Sequence, residues 1–335
     1  MLHRFCCFLR VTFRIPTPAT MAPFKPLLPP LPIPEGQRKN PPLPIRPPSP
    51  TVILRDGLSL STWLLLGGVL QGAAVAAFGY RSLLPTTLIL GYRALDTLLM
   101  TLNLKRNRYM DGVIMPKYSA QYPNTDSSFA STLNATTGSQ DGDPAAKPLI
   151  VFHLGARCNH PLGLLAPGYK ELGDWAEKMY ESLRVNPDKY GLLGMTRFVG
   201  QSDASGNETL VIMYMRDYEG LHRFAHDQLH ADGVRWWTGI VKAHPHLAIW
   251  HETYVVPKGC WENIYAQSQV TGMGDTFFPV VDGNNGATEW ARGIVDAKGG
   301  ALRTGSRRLR MKHLEEKESE LEAYYDLTDG GRTTL

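Results

Sequence analysis

The sequence predicts an α+β protein in which a sheet domain follows an apolar N-terminal part. Between residues 148 and 256, strand-like runs and amphipathic helical runs alternate in the order β-α-β-β-α-β. Residues 57 to 80 contain no charged side chain. The formal net charge of +4 comes without a long basic block, so the sequence does not favour nucleic acid as a partner.

Residues 1 to 56 are predicted to be a disordered, proline-rich arm. Of the 25 prolines in the chain, 14 lie between Pro16 and Pro50, and each one fixes φ and removes a backbone donor. The first twenty residues mix basic and apolar side chains, which leaves open whether they belong to the mature protein.

Residues 57 to 104 are predicted to contain one or two transmembrane or interfacial helices. At about 1.5 Å per residue, the uncharged segment 57 to 80 can cross a hydrocarbon layer of about 30 Å. A second apolar stretch, residues 82 to 104, is interrupted by Arg93 and Asp96, which are spaced to pair on a helix. Basic residues follow this stretch and also precede the first one. Two spans would leave both flanks on the cytosolic side, as the positive-inside rule prefers, whereas one span leaves the orientation open. We expect a membrane protein of the endoplasmic reticulum with the sheet domain in the cytosol.

The catalytic domain is predicted to span residues 148 to 290, after a polar linker at 105 to 147 and before a charged C-terminal tail at 291 to 335. The predicted strands are residues 147–157, 191–200, 209–215 and 248–256, the predicted helices are residues 169–183 and 221–241, and a further tail helix covers 307–325. This order is that of a ferredoxin-like βαββαβ fold. Two helices cover only one face of the sheet, so we expect a second copy of the chain to cover the other, as in a dimeric α/β barrel.

Two runs in this domain carry a family resemblance. They are F-A-H-D-Q-L-H-A-D-G-V-R-W-W at residues 224–237 and H-E-T-Y-V-V-P-K-G-C-W-E-N-I-Y at residues 251–265. They resemble a fungal family of monooxygenases that includes the polyketide monooxygenase of fumagillin biosynthesis and is related to the antibiotic-biosynthesis monooxygenases. The resemblance implies a dimeric ferredoxin-like barrel. It also implies a membrane-anchored oxidoreductase of fungal secondary metabolism that oxidises a hydrophobic polyketide or terpenoid with O₂.

The histidines of the second helix leave three chemistries open. His226 and His230 have the i, i+4 spacing of a zinc-binding helix, but there is no glutamate between them and no third ligand at a fixed spacing, so no metal site is expected. Either histidine is a candidate axial ligand of haem in a dehydratase or oxygenase. In a reaction without a cofactor, which we favour, a histidine base forms a substrate enolate that reduces O₂ directly. A non-catalytic module that binds a hydrophobic ligand is a further alternative.

The candidate site residues follow from the cofactor-free chemistry. His230 is the leading base with His226 beside it, and Glu252 either orients a ring on the second helix or pairs with Arg197. Strand alternation places Trp250, Glu252 and Tyr254 on one face of the last strand and His251 and Thr253 on the other. The residues expected to bind the substrate are Trp236, Trp237, Tyr254, His153 and His251.

Overall fold

The computed structural model describes residues 24–33, 58–133, 140–202, 205–283 and 286–310. Its helices are α1 (Leu60–Phe78), α2 (Leu83–Thr101), α3 (Tyr169–Val185), α4 (Pro187–Tyr190), α5 (Tyr218–Ala225), α6 (Gln228–Ile240) and α7 (Gly305–Arg308). Its strands are β1 (Leu31–Pro32), β2 (Val113–Ile114), β3 (Tyr118–Ala120), β4 (Ser131–Leu133), β5 (Gln140–Gly142), β6 (Leu149–Cys158), β7 (Leu192–Ser202), β8 (Ser205–Met215), β9 (Leu247–Val256), β10 (Ser268–Gln269), β11 (Phe277–Val281), β12 (Thr288–Arg292) and β13 (Ile294–Asp296).

The centre of the fold is a four-stranded antiparallel sheet in the order β7-β8-β6-β9. Numbered by position in the βαββαβ unit, this is the order 2-3-1-4 with helices α3 and α5–α6 as the two connections, so the predicted ferredoxin-like topology is confirmed. All four strands begin and end within a few residues of the predicted positions, because each is a local run of apolar and β-branched side chains bounded by turn residues.

One face of the sheet, here called the helix face, packs against α3 and α5. Leu183 of α3 and Phe224 of α5 lie in the same buried cluster as Ile150, Val211 and Met213 of the strands. The spacing of apolar residues on each helix produces an apolar stripe that faces the sheet. Burial of these two stripes against the strands is the main stabilisation of the domain.

The opposite face, here called the second face, is partly covered by the chain itself. The covered end has Leu149, Leu193 and Tyr214 beneath Trp261 and Met273 of the segment that follows β9. The prediction that a second copy covers this face is therefore unnecessary at that end. The remaining, open end carries side chains from the middle of β6 and β9.

The domain extends beyond the predicted limits on both sides. Tyr118 in β3 is fully buried, so the prediction of a mobile linker is wrong for this part of residues 105 to 147. Val295 in β13 and Leu302 are buried too, so residues 291 to 310 are part of the core and not a tail. The predicted helix at 307–325 lies mostly outside the described residues, and α7 ends at Arg308.

A described part of the proline-rich arm also belongs to the fold. Phe24 is buried beside Phe129, and β1 pairs with β12 at the register Leu31 to Trp290. The prediction of a disordered arm is therefore wrong for residues 24–33, and the rest of residues 1 to 56 lies outside the described residues.

The predicted continuous helix at 221–241 is broken in two. His226 ends α5, and the carboxylate of Asp227 caps α6 by accepting a hydrogen bond from the backbone N–H of Leu229 at 3.1 Å. The other carboxylate oxygen accepts hydrogen bonds from the Tyr190 hydroxyl at 2.9 Å and from the Lys189 ammonium at 3.0 Å. Because of this break, His226 and His230 do not lie along one edge of a regular helix.

Helices α1 and α2 project apolar side chains into solvent. Within the described residues, α1 is the helix that is long and apolar enough to cross a membrane, and none of its apolar window is buried. The interruption in α2 is arranged differently from the prediction, because Asp96 pairs with Lys105 and Arg108 rather than with Arg93.

Candidate functional site

The open end of the second face holds a group of polar side chains on two neighbouring strands. His153 of β6 lies directly opposite Glu252 of β9, and Val151 lies opposite Tyr254. Residues opposite each other in an antiparallel pair share a face, and alternation along each strand puts Val151 and His153 on the same face. Since Val151 packs into the second-face core, His153, Glu252 and Tyr254 all project from the second face.

These three side chains form a connected group. The Tyr254 hydroxyl donates a hydrogen bond to Glu252 Oε2 at 2.6 Å, and the same oxygen lies 3.7 Å from His153 Nδ1. The His153 and Tyr254 rings pack edge to face with centroids 5.4 Å apart. The hydrogen bond to the Glu252 carboxylate raises the pKa of Tyr254 above its ordinary value, so the phenol stays protonated at neutral pH. The arrangement combines a titratable ring, a carboxylate that faces it and a phenol that holds the carboxylate in place.

An indole forms the next row of the same face. Trp250 lies opposite Gly155, and a Cβ added at Gly155 would be 2.0 Å from Cε2 of the indole. The indole Nε1–H donates to Glu208 Oε1 at 3.1 Å, which fixes the ring across the strand. Sequence analysis placed Trp250 on this face but did not assign it to the site. The glycine inside a strand was the available signal, because such a glycine often marks a close approach of another group.

The group is only partly shielded from solvent in a single chain. The side chain of His153 is 26% exposed, whereas that of Glu252 is 54% exposed. Tyr254 on β9 and Phe198 on β7, at the opposite edge of the sheet, are each 47% exposed. The face is therefore a shallow, partly aromatic surface and is not enclosed by the described residues.

A cluster of buried phenols lies at the covered end of the same face. Tyr214 lies opposite Val151 in the row that also contains Tyr254, and burial raises its pKa. Burial raises the pKa of Tyr265 to about 12 and that of Tyr122 well above its ordinary value. The Tyr122 hydroxyl has no hydrogen-bond partner among the described residues. Sequence analysis missed these tyrosines, because they come together from β8 and from the segments on either side of the βαββαβ unit.

The histidines predicted to be catalytic are on the other side of the sheet or at the surface. The ring of His230 packs edge to face against Phe224 of the helix-face core, with centroids 5.6 Å apart. His226 is exposed and stacks on His222, and its Nδ1 lies 2.9 Å from the His222 carbonyl oxygen. His251 is on the helix face beside Phe152. The sheet thus separates His230 and His251 from Glu252.

Both proposed partners of Glu252 are wrong. Glu252 contacts neither a ring of the second helix nor Arg197. Arg197 instead donates to Glu177 of α3, with Nη2 to Oε2 at 3.1 Å, and lies 4.5 Å above the Tyr180 ring. Both of these contacts are on the helix face, on the far side of the sheet from Glu252.

The predicted aromatic platform is also divided. Trp236 pairs with Trp175 between α6 and α3, with ring centroids 6.1 Å apart. Trp237 packs against a small buried cluster that includes Cys158 and Leu247. Neither indole lies near Tyr254, so the structure does not bring the predicted substrate-binding residues into one pocket.

No group of three or more metal-ligating side chains is found in the parts of the chain that the structure describes.

Comparisons with known proteins place this geometry in context. Residues 149–273 match a family model described as monooxygenase af470-like. Monooxygenase af470 of Aspergillus fumigatus is 30% identical over 258 residues, a stretch covering 76% of this chain and 89% of that protein.

Solved structures align with a smaller part of the chain. The cofactor-independent oxygenase SnoaB from Streptomyces nogalater aligns with 32% of this chain and 90% of its own, at 10% identity and a TM-score of 0.23. A DABB family protein with a ferredoxin-like fold from Mesorhizobium loti aligns with 32% of this chain and 97% of its own, at 17% identity and a TM-score of 0.23. An aldoxime dehydratase in complex with butyraldoxime aligns with 38% of this chain and 39% of its own, at 15% identity and a TM-score of 0.29.

Proposed function

The chain belongs to the monooxygenase af470-like family and is an oxidoreductase, and we propose that it oxidises a hydrophobic polyketide or terpenoid intermediate of fungal secondary metabolism at the second face. The observation that carries this placement is the contact group of His153, Glu252 and Tyr254 beside the Trp250 indole. Because the relatives of this chain are monooxygenases, we favour an enzyme over the alternative of a non-catalytic binding module.

The group has the parts needed to activate a substrate for direct reaction with O₂. The His153 ring takes a proton from an enolisable C–H or phenolic O–H of the substrate, the role of a general base that histidine fills most often in enzymes. Glu252 faces the ring and stabilises the imidazolium that forms. Tyr254 holds Glu252 in place through its hydrogen bond. Trp250 offers a flat apolar surface on which a planar or polyene substrate can stack.

The remaining steps balance without an external reductant. The substrate enolate gives one electron to O₂, and the substrate radical and superoxide combine to a peroxide anion. This anion takes the proton back from the His153 imidazolium, which gives the hydroperoxide and restores the base. Loss of water then leaves a carbonyl, so a CH₂ group and O₂ become C=O and H₂O. The residues of the second face supply proton transfer and orientation.

Exclusion of water requires a cover over the open end, since Glu252 and Tyr254 are half-exposed in one chain. We propose that a second copy supplies it in a homodimer. In the described residues β9 is the edge of the sheet, and both of its faces carry exposed apolar residues, with Ile249 43% and Val255 62% exposed on the helix face. The molar mass of the detergent-solubilised protein tests this directly.

The proposal is tested by exchanging one histidine on each face. The variants are His153→Gln and His230→Gln, both of half-buried rings in the same domain. The assay is oxygen uptake with dithranol, an enolisable anthrone used as a probe, after subtraction of its uncatalysed autoxidation. We expect His153→Gln to lower kcat by about 10²–10⁴-fold, the usual contribution of a general base. His230→Gln should stay within about threefold, because its ring faces the other side of the sheet.

Glu252→Gln adds a graded prediction. At the 3.7 Å between His153 Nδ1 and Glu252 Oε2, Coulomb's law with the dielectric constant of water gives about 1 kcal/mol, or about fivefold in rate. A large loss in His230→Gln with little change in His153→Gln would move the reaction to the helix face. Equal, small effects of both exchanges would reject a histidine base.

The haem alternative makes a separate prediction. His230 or His226 would hold the haem iron, and the purified protein would show a Soret band that His230→Gln or His226→Gln abolishes. Oxygen uptake that persists in the presence of a chelator, in protein without such a band, supports the cofactor-free reaction.

A further inference from the structure

We propose that α1 and α2 form a hairpin that crosses a lipid bilayer twice, leaving residues 24–33 and the sheet domain on the same side. The inference rests on the membrane anchor that the apolar helix α1 predicts and goes further, because it fixes the number of crossings and the location of the hairpin tip. It follows from where the chain before α1 is bound.

Residues 24–33 are built into the sheet domain. Phe24 is 7% exposed and packs edge to face on Phe129, with ring centroids 5.6 Å apart. The backbone N–H of Leu27 donates to the Ile294 carbonyl at 3.0 Å. Further along, β1 extends the sheet of β11 and β12. The segment before the apolar helices and the domain after them therefore form one folded body, which lies on one side of any membrane.

This body requires an even number of crossings between residues 33 and 113. Two stretches there cannot supply a span, because the first carries six charged side chains and the second is shorter than the length of about 18 residues that a span needs. Residues 34–57 contain Glu35, Arg38, Lys39, Arg46, Arg55 and Asp56, and residues 102–112 contain Lys105, Arg106, Arg108 and Asp111. Only α1 and α2 remain as candidates. If α1 crosses, α2 has to return.

The two helices have the dimensions for full crossings. Each has 19 residues, or about 28 Å at 1.5 Å per residue, against a hydrocarbon layer of about 30 Å. The turn between them carries Tyr80, which is 82% exposed, and Arg81. An aromatic ring and a cation at the tip are suited to the far membrane interface.

Polar groups within the hairpin are satisfied internally, as a membrane requires. The Gln71 amide of α1 donates to the Ser82 carbonyl at 3.2 Å, and its oxygen accepts a hydrogen bond from the Thr86 hydroxyl of α2 at 2.7 Å. The Thr87 hydroxyl donates to the Leu83 carbonyl one turn earlier. Gln71 thus joins the two helices near the tip.

The charges of α2 lie toward the end that adjoins the sheet domain. Asp96 is buried between Lys105 and Arg108, which neutralise it. Arg93 lies eight residues before the last residue of α2, Thr101, about 12 Å along the axis, and a side chain that extends toward water shortens the distance from its charge to the interface. These charges explain why α2 is less apolar than α1. The basic residues on both sides of the hairpin favour the cytosol for the body.

Cysteine labelling in sealed microsomes tests the inference on the full chain. Cys260 is exposed on the body, and Cys158 is 1% exposed and stays silent. In a background with Cys6 and Cys7 changed to serine, native Cys260 reports the body. Lys25→Cys reports the arm and Arg81→Cys reports the tip, each combined with Cys260→Ser. A membrane-impermeant maleimide is added before or after permeabilisation.

We expect the arm and body probes to label fully in sealed microsomes, and the tip probe only after permeabilisation. The arm and body probes on opposite sides would mean a single crossing and overturn the inference. A tip probe that labels together with the body would mean that the hairpin does not cross. Release of the protein by alkaline carbonate would refute membrane anchoring itself, whereas failure of the oxygenase assignment would appear separately, in the oxygen uptake of the histidine variants.

Discussion

Replacing Phe24 by alanine should destabilise the whole sheet domain, although the residue lies more than 80 positions before β2 in the sequence. The ring is 7% exposed and sits in a cluster with Phe129, Val295 and Leu302. Removing a buried phenylalanine side chain costs about 3–5 kcal/mol through lost burial and the cavity left behind. We expect a value near the lower limit, about 3 kcal/mol. Residues 24–33 can separate from the domain by local unfolding, and the free energy of that opening limits how much stability the substitution can remove.

Gly142 supplies a second way to make the same perturbation. A Cβ at this position would be 2.1 Å from Cε1 of the Phe24 ring, so Gly142→Ala has to displace the ring from its buried position. Overpacking of this kind costs about 1–3 kcal/mol. Once Phe24 is alanine, the same methyl group has room. The double variant should therefore be no less stable than Phe24→Ala alone, a coupling that arises only if the two residues touch.

The assay is thermal unfolding of the full chain in detergent, followed by tryptophan fluorescence. For a domain of this size, about 3 kcal/mol lowers Tm by about 6–12 °C. Leu31→Ala is the matched control on the same arm, because Leu31 is 42% exposed and its loss should change stability by about 0.5 kcal/mol or less. If Phe24→Ala melts together with Leu31→Ala, the arm is not packed on the domain. The argument for an even number of membrane crossings then loses its basis.

Three further outcomes follow from single side chains. Asp227→Ala should cost about 0.5–2 kcal/mol of stability by removing the cap of α6. Hydrogen bonds, with that from Lys189 foremost, hold the pKa of Asp227 below the ordinary carboxyl value. Melting curves should therefore show the full loss above the ordinary value, and the loss should vanish as the pH falls through the lowered pKa. Gly155→Ala should displace the Trp250 indole and lower kcat/KM for dithranol by about tenfold or more. Tm should fall by only a few degrees, since the ring can turn outward at an open face. An unchanged kcat/KM would show that Trp250 is not part of the site. Because the pKa of Tyr254 is raised, its hydrogen bond to Glu252 is fully present below the ordinary phenol pKa of about 10 and is lost as the pH rises through the higher pKa of the folded protein. Tyr254→Phe should therefore abolish the alkaline fall of the pH–rate profile. A profile identical to that of the wild type would contradict this role.

Most of the fold could be predicted from the sequence, because its signals are local. Apolar periodicity within each run identified the four strands and the two helical connections, and the order of the elements restricted the topology to one arrangement. The family was recognised from residues 224–237 and 251–265, and this resemblance is confirmed by the matches to the family model and to monooxygenase af470. Strand alternation also correctly put Glu252 and Tyr254 on one face and His251 on the other.

The grouping of the site was beyond local signals. A helical pattern cannot show that Asp227 ends one helix and caps the next, because its carboxylate is fixed by Tyr190 and Lys189 from a different element. Nor does a helical pattern show which side of the sheet a helix covers. In the structure His230 lies on the helix face and Glu252 projects from the second face, so the two side chains do not meet.

What the sequence determined by itself was the strands and helical connections of the βαββαβ unit, their order and the two apolar stretches before it, since each depends on side chains a few positions apart. Only the tertiary structure decided which groups meet. His153 faces Glu252 from a strand about a hundred residues earlier, and Leu31 pairs with Trp290 across almost the whole chain. Such contacts depend on the register and layering of the folded chain. Each partner taken alone looks like an ordinary surface or core residue, so no local pattern records that they touch.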